Sequence, residues 1–351
     1  MTLFETMASM EHEQVVFCSD PSSGLRSIIA VHDTTLGPGI GGVRMWPYAD
    51  EQAALNDVLR LSQGMTYKAA IAGVNFGGAK SVIIGDPAKG KTEALLRAHG
   101  RFVQSLAGRY IPGVDVGTSQ ADMDVLAVEA KRVFSGTQDP SPLTALGVLE
   151  SIRAAVAFVD GSPSLEGRRI AVQGAGHVGE PLIRHLAEEG AKLVISDVDR
   201  TKVDRLAADL PLDVVDPDEI LGVDCDVLAP CALGAIVDDA SIPALRCRIV
   251  AGGANNVLAE PRHAAALAEA GILYVPDYVA NAGGLLLYVG NWLGHEFEQT
   301  RAKVVRIGQT TGEILATARA DGIDTSAAAE QVAKRRINAL RDVGPPLVSP
   351  A

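Results

Sequence analysis

Aromatic residues make up only 4% of this 351-residue chain: two tryptophans, six tyrosines and seven phenylalanines. Cysteines are fewer still. Cys18, Cys225, Cys231 and Cys247 share no Cys-x-x-Cys spacing, so neither a zinc site nor a disulfide framework is supported, and a reduced, cytoplasmic setting is expected. Basic side chains number 31 against 43 acidic ones, which gives a formal net charge of -12. No basic run offsets that balance, so a nucleic-acid partner lacks the positive footprint it needs. Met1–Gln14 carries Glu5, Glu11 and Glu13 where a secretory signal needs a basic and then an apolar stretch. The uncharged run Tyr278–Gly294 includes Asn281, Asn291 and four glycines, a composition a membrane span does not favour, so no membrane partner is expected.

What the chain does have is small residues and alternating patterns. Hydrophobic residues reach 47% and glycines 36, which excludes a disordered chain, and the length suits two domains. There is no internal repeat. Short β-type runs alternate with helical ones, the pattern of an α/β architecture. Val15–Cys18, Ser27–His32, Ser81–Ile84 and Tyr110–Val116 read as strands, and Asp50 to about Ala70 and Glu93–Leu106 as helices. Gly136–Pro142, polar with two prolines, reads as the boundary. Beyond it, Thr144–Val159, His177–Glu189 and Arg200–Asp209 read as helices. Arg169–Gln173, Lys192–Ser196, Asp226–Ala229, Ile249–Ala251 and Ile272–Val275 read as strands of a parallel, doubly wound sheet, and the tail from about Glu296 to Arg341 as helix.

The strand Arg169–Gln173 runs directly into Gly174-Ala175-Gly176-His177-Val178-Gly179, the G-x-G-x-x-G spacing, and a helix follows. In that spacing Gly174 serves the tight turn, Gly176 the approach of a pyrophosphate and Gly179 the packing of helix on strand. Asp197 ends the next strand, where a carboxylate accepts the ribose hydroxyls and repels a 2′-phosphate, so NAD is expected rather than NADP. Arg200 nearby reads as a solvated first-turn residue, and so does His177.

Two lysines stand in apolar or glycine-rich surroundings: Lys68 in Gly64-Met65-Thr66-Tyr67-Lys68 and Lys80 in Gly77-Gly78-Ala79-Lys80-Ser81. Lys68 alone reads as a surface lysine laid along apolar neighbours. Lys80 precedes a buried strand, where an amine has a depressed pKa and can act as a general base. Asp115, at a strand end, either completes an acid–base pair or forms an Asx turn. No metal-ligand set is expected.

These motifs carry a resemblance. Thr34-Thr35-Leu36-Gly37-Pro38, Gly41-Gly42-Val43-Arg44, the two lysine motifs, Asp115-Val116-Gly117-Thr118 and Pro276-Asp277-Tyr278 with Asn281-Ala282-Gly283-Gly284 resemble the amino-acid dehydrogenase superfamily. That superfamily holds the glutamate, leucine, phenylalanine and valine dehydrogenases; the likeness is nearest to the leucine dehydrogenases and runs from about Thr2 to Arg341. It implies that Lys68 binds the substrate α-carboxylate, Lys80 activates water, and Asp115 passes protons to and from nitrogen. It also implies that Gly41 and Gly42 line the substrate site, that Thr144 contacts the nicotinamide carboxamide, and that Asn255 bridges cofactor and substrate carboxylate. Gly174, Gly176, His177, Val178, Gly179, Asp197, Cys231 and Ala232 fall in the cofactor set. Read without the resemblance, Thr144 is a helix N-cap and Asn255 a turn residue.

The resemblance further implies an N-terminal α/β substrate and oligomerisation domain over residues 1–140, a Rossmann-type NAD domain over 141–325, a cleft between them, and a C-terminal helix, 326–351, packed back on the first. The partners implied are an apolar amino acid or its 2-oxo acid, ammonia, and further copies of the chain. The Gly136–Pro142 boundary is several residues shorter than in typical leucine dehydrogenases. Ile40 stands where glutamate dehydrogenases place a lysine for the distal carboxylate, so glutamate is disfavoured. Gly113, Leu285 and Tyr288 match side-chain pocket positions. Gly113 resembles the larger pockets of phenylalanine and tryptophan dehydrogenases, whereas Tyr288 either refills that space or turns its hydroxyl to water. The expectation is oxidative deamination of branched-chain aliphatic L-amino acids, leucine with valine and isoleucine. The alternatives are the same chemistry on phenylalanine, tryptophan or valine, and a non-catalytic NAD-binding sensor or scaffold.

Overall fold

The computed structural model describes residues 3–134 and 138–341. It divides into two compact units: one from the N-terminal part through Gln138, joined by the chain from Ala333 on, and one over Asp139–Val332. Within the expected boundary run Gly136–Pro142, Gly136 and Thr137 lie outside the described residues, as do positions 342–351 of the expected last helix.

The first unit is built on five strands: β1 (Gln14–Asp20), β2 (Leu25–Asp33), β3 (Gly39–Trp46), β4 (Gly77–Ile84) and β5 (Tyr110–Val114). They lie in the order β1-β2-β4-β3-β5. β1 and β2, and β2 and β4, pair antiparallel, while β3 pairs parallel with both β4 and β5. Successive strand side chains point to opposite faces, and both faces of this sheet are covered. The helix Glu51–Ile71, capped by Asp50 accepting from the Ala53 amide at 2.7 Å, packs Ala54, Leu55, Val58 and Leu59 on Ile28, Ala30 and Val82. The helix Glu93–Ser105 packs Leu95, Leu96 and Val103 on Ile29, Val31, Val43, Ala79 and Ile83. β3 is a strand that the sequence reading did not find, because three glycines in its first four residues weaken the β pattern.

The second unit carries six strands: β6 (Arg169–Gln173), β7 (Lys192–Ser196), β8 (Leu212–Val214), β9 (Cys225–Pro230), β10 (Cys247–Val250) and β11 (Leu273–Tyr274). All pair parallel, in the order β11-β10-β9-β6-β7-β8. Counted from its own first strand, β6, the order reads 3-2-1-4-5-6 from β8, the doubly wound arrangement whose strand order reverses between β6 and β9. The helix Ser141–Asp160 is long and apolar enough to cross a membrane by composition. It is instead a core helix, with Val148, Leu149, Ile152 and Val156 buried against β6, β7 and the helix Ile307–Asp321.

The tail expected to be helical comprises three helices: Phe297–Val305, Ile307–Asp321 and Thr325–Arg341. Gly322, at φ 65°, ends the middle one in the left-handed conformation that terminates helices. Five further helices, Leu3–Ser9, Gln120–Ala127, His263–Glu269, Asp277–Ala280 and Gly283–Trp292, were unread, the last because its glycines obscure the helical period.

Candidate active site and dinucleotide site

The chemistry of the first unit centres on Lys80. Gly78, two residues before it on β4, has no Cβ, and the space a Cβ would take is filled by the amide and hydroxyl of Thr66. The helix Glu51–Ile71 therefore rests directly on the strand and covers Lys80, which is 5% exposed. Its ammonium donates to Asp115 Oδ2. The other carboxylate oxygen accepts from Arg44 Nε at 3.2 Å and from the Val116 amide at 2.5 Å. Arg44 in turn gives Nη1 to Asp57 Oδ2 at 2.9 Å, and the same oxygen accepts from Tyr48 Oη at 2.6 Å.

Burial is the main force on the Lys80 amine, and the charge of Arg44 adds to it, with smaller pushes from Lys68 and Arg60; Asp57 opposes them. Together they bring Lys80 from 10.5 down to about 7. An amine that gives up its proton near neutrality, paired with a carboxylate, is equipped for general acid–base work. Lys68 sits half-buried on the covering helix, close enough for its charge to be felt at Lys80. Arg44 was quoted in a motif but given no role by the sequence reading. Its signal was there: a charged residue inside a strand-length run, one turn of the β pattern after two glycines.

Ile40, Gly41 and Gly42 lie on β3 beside this pair. Ile40 is buried, with Gly78 on one side and Ile111 on the other. A Cβ on Gly41 would run into the Ala79 carbonyl, and one on Gly42 would come within 2.6 Å of Asp115 Cβ. These two glycines are thus what lets β3 approach the Lys80–Asp115 pair. Gly113 stands opposite Gly42, but a Cβ there would meet only Phe134 Cβ, at an ordinary 3.5 Å. Packing does not demand that glycine.

The remaining expected residues belong to the second unit. Gly174, at φ 95°, turns the chain after β6, and a Cβ on it would come within 2.6 Å of Ala232 Cβ. A Cβ on Gly179 would strike the Gly174 carbonyl, whereas one on Gly176 would meet nothing within 4 Å. The loop thus keeps one glycine over open space between two that packing requires. The helix that follows starts at Gly179, two residues later than expected, and has no side-chain cap, so its first amides keep the positive end of the helix available to an anion. Asp197, half-buried after β7, ties the loop down: Oδ2 accepts from the Ala175 amide at 2.7 Å and Oδ1 from the Asp199 amide at 2.8 Å. The uncapped helix, the open Gly176 and the anchored carboxylate fit a dinucleotide.

Val178 and Cys231 are half-buried, and His177 and Ala232 exposed, around the same loop. Cys231 follows β9, and its amide donates to the Gln173 carbonyl at 2.7 Å; burial pushes its thiol up to about 11. Thr144 is no N-cap. Pro140 holds that place, and Thr144 Oγ1 donates to the Pro140 carbonyl at 3.0 Å, because three residues of the helix Ser141–Asp160 precede its expected first residue. Exposed Asn255 follows β10 and accepts from Asn281 Nδ2 at 2.8 Å. Leu285 and Tyr288 are half-buried on the helix Gly283–Trp292, and burial, with the charge of Asp139, raises the Tyr288 phenol. Gly252 and Gly253 were missed. A Cβ on Gly253 would lie 2.6 Å from Val178 Cγ1, so this second glycine pair, also directly after a strand, seats the loop beside the first.

Family models match both parts of the chain. Residues 12–132 match the family model for the Glu/Leu/Phe/Val dehydrogenase dimerisation domain. Residues 136–205 and 195–340 match that for Glutamate/Leucine/Phenylalanine/Valine dehydrogenase. A leucine dehydrogenase of Geobacillus stearothermophilus is 48% identical over 99% of this chain and 96% of its own length. A valine dehydrogenase of Streptomyces virginiae is 47% identical over 94% and 95%. Among solved structures, the crystal structure of L-tryptophan dehydrogenase from Nostoc punctiforme matches with a TM-score of 0.90 and 46% identity, over 97% of this chain and all of that one.

Proposed function

The chain belongs to the glutamate/leucine/phenylalanine/valine dehydrogenase family and is an amino-acid dehydrogenase using a nicotinamide cofactor, and we propose that it catalyses the reversible NAD-dependent oxidative deamination of branched-chain aliphatic L-amino acids, leucine first, to the 2-oxo acid and ammonia. The observation that carries this reading is the buried Lys80–Asp115 pair, with the charge of Lys68 beside it and the uncharged Ile40 next to it.

In this reading Lys68 holds the substrate α-carboxylate. The glycine loop Gly174–Gly179 receives the pyrophosphate, with Cys231 and Ala232 flanking it, Thr144 meets the carboxamide, and Asn255 contributes to both ligands. Asp197 selects NAD: held in place by two amides, its carboxylate accepts from the ribose hydroxyls and repels a 2′-phosphate. The bound nicotinamide supplies the acceptor for the hydride that leaves Cα. Asp115 takes a proton from the substrate ammonium before the hydride leaves and returns it to the departing nitrogen, and Lys80, neutral, takes a proton from water as the water attacks the iminium carbon. Arg44 keeps the carboxylate in place through both transfers.

In this reading Ile40, Gly41, Gly42 and Gly113 are the side-chain-recognition residues of the first unit, and Leu285 and Tyr288 those of the second. Ile40 offers no charge to a distal carboxylate, which excludes glutamate as the preferred substrate. A second reading, phenylalanine or tryptophan first, rests on Gly113, where the structure leaves room that packing does not require. One methylene in an apolar pocket is worth about 1–3 kcal/mol, so several apolar amino acids turn over in either case. The working form is a homo-oligomer, consistent with the dimerisation-domain match, in a reduced, cytoplasmic setting consistent with four free cysteines.

Absorbance at 340 nm with leucine and NAD tests the reaction, and a panel of 2-oxo acids with NADH and ammonia ranks the side chains. No amino-acid-dependent reduction of NAD would leave the non-catalytic sensor as the better account.

A further inference from the structure

A buried file of hydroxyls and one imidazole crosses the first sheet on the face opposite Lys80. Ser27 Oγ lies 3.1 Å from His99 Nδ1, and His99 Nε2 lies 3.0 Å from Ser81 Oγ. Ser81 Oγ is 3.0 Å from Tyr110 Oη, which donates to the carbonyls of Gly41 at 3.0 Å and Gly42 at 3.3 Å. All four side chains are buried, and they come from β2, the helix Glu93–Ser105, β4 and β5. None has a part in the reaction as described above.

One assignment of protons makes every hydrogen bond in this file. Carbonyl oxygens only accept, and burial holds the Tyr110 phenol in its protonated form, so its single proton goes to the glycine carbonyls. Tyr110 Oη then accepts from Ser81, and Ser81 Oγ accepts from His99. His99 therefore carries its proton on Nε2 and accepts from Ser27 on Nδ1. Burial brings this imidazole down to about 4, so it is neutral at physiological pH and Nδ1 keeps its lone pair.

The file ends at a gap in the sheet. β3 and β4 pair in one register, Ile40 with Gly78 and Val43 with Ser81, but Gly41 and Gly42 between them have no partner on β4. On β5 they face Pro112, which has no N–H, and Gly113. The same two glycines press on the Ala79 carbonyl, one residue before Lys80, and on the Asp115 side chain. A hydroxyl in place of the missing ladder bonds thus fixes a backbone segment lying between the two members of the acid–base pair.

We infer that Tyr110 is a positioning residue for the amino-acid substrate: through the Gly41 and Gly42 carbonyls it sets the wall of the side-chain pocket against Lys80 and Asp115, and Ser27, His99 and Ser81 hold its hydroxyl in register. The inference rests on the functional reading given above. A wall displaced by a fraction of an ångström weakens substrate placement and selectivity without touching the dinucleotide.

Steady-state kinetics on the wild type, Tyr110→Phe and Ser81→Ala test it, with leucine and valine varied at saturating NAD and NAD varied at saturating leucine. Tyr110→Phe is expected to raise the leucine KM about tenfold, to narrow the leucine-over-valine ratio in kcat/KM, and to leave the NAD KM within about twofold. Ser81→Ala keeps the Tyr110 ring and removes only the donor to its oxygen. It moves the same parameters by a smaller factor, and it serves alone if Tyr110→Phe fails to fold. An active wild type whose variants keep its leucine KM and selectivity, whatever their melting temperatures, overturns the inference, as does an equal rise in both KM values. A wild type that reduces no NAD with any amino acid overturns the functional reading, and the inference with it.

Discussion

Asp115 takes the ammonium of Lys80 on one carboxylate oxygen and holds Arg44 Nε at 3.2 Å on the other. Lys80 thus has its counter-ion shared with a second cation, and its proton is easier to lose than in an exclusive pair.

Lys80 comes down to about 7, so its neutral fraction grows as pH rises through that value. Oxidative deamination should climb by up to about tenfold per pH unit on the acid side and level off in the alkaline range. Lys80→Ala should cut turnover by about 10²–10⁴-fold with NADH binding, followed by fluorescence titration, nearly intact. Turnover near that of the wild type, or a flat profile from neutral to alkaline pH, would remove Lys80 from the mechanism.

Arg44→Gln takes away a positive charge that helps depress Lys80 and removes the second ion pair of Asp115. The kinetic pKa in kcat/KM for leucine should move up, by on the order of one unit. Measuring that profile beside the wild type decides the matter, and a pKa that stays or falls rules out the shared-carboxylate account.

Gly176 and Gly179 separate cofactor space from packing. A Cβ on Gly176 meets nothing within 4 Å, so Gly176→Ala should melt like the wild type yet bind NAD several-fold more weakly. A Cβ on Gly179 strikes the Gly174 backbone, so Gly179→Ala should lose about 1–3 kcal/mol of stability in urea titration. If Gly176→Ala leaves the NAD Kd unchanged, the open space is not where the pyrophosphate lies.

His12, His32 and His99 are each lowered from 6.5 to about 4, burial being the first cause in all three. Between those values the unfolded chain binds protons that the folded one refuses. Their contribution to stability is therefore complete above about 6.5 and is lost as pH falls toward 4, at roughly 1.4 kcal/mol per pH unit for each histidine at most. Urea midpoints at pH 7, 6 and 5 should decline in that order. Equal midpoints would mean that these imidazoles take up protons in the folded state.

Much of the second unit was legible because its signals are local. Arg169–Gln173, Lys192–Ser196 and the helix Arg200–Asp209 are bounded by the residues expected, since a buried parallel strand is a short apolar run and a helix start is marked by a cap such as Asp199. The glycine spacing then fixed where the loop had to turn. β3 was illegible for the opposite reason. Gly39, Gly41 and Gly42 are in a strand because Ala79 and Asp115 press on it, and both come from distant parts of the chain. Lys80 and Asp115 could be named from their motifs, but the Arg44 bridge could not, because it joins residues 71 apart. The hydroxyl file through His99 was hidden likewise, its members being ordinary residues until four elements bring them together.

The helix Thr325–Arg341 has a consequence for how the molecule is made. Arg336 donates to the carbonyls of Ala70 at 3.0 Å and Val74 at 2.8 Å, closing the end of the helix that carries Lys68, and Arg341 reaches Asp33 at 2.9 Å. During synthesis those groups leave the ribosome between 262 and 308 residues before their partners. The part of the protein translated first is completed last, and the second unit can fold while the first still waits for its closing helix.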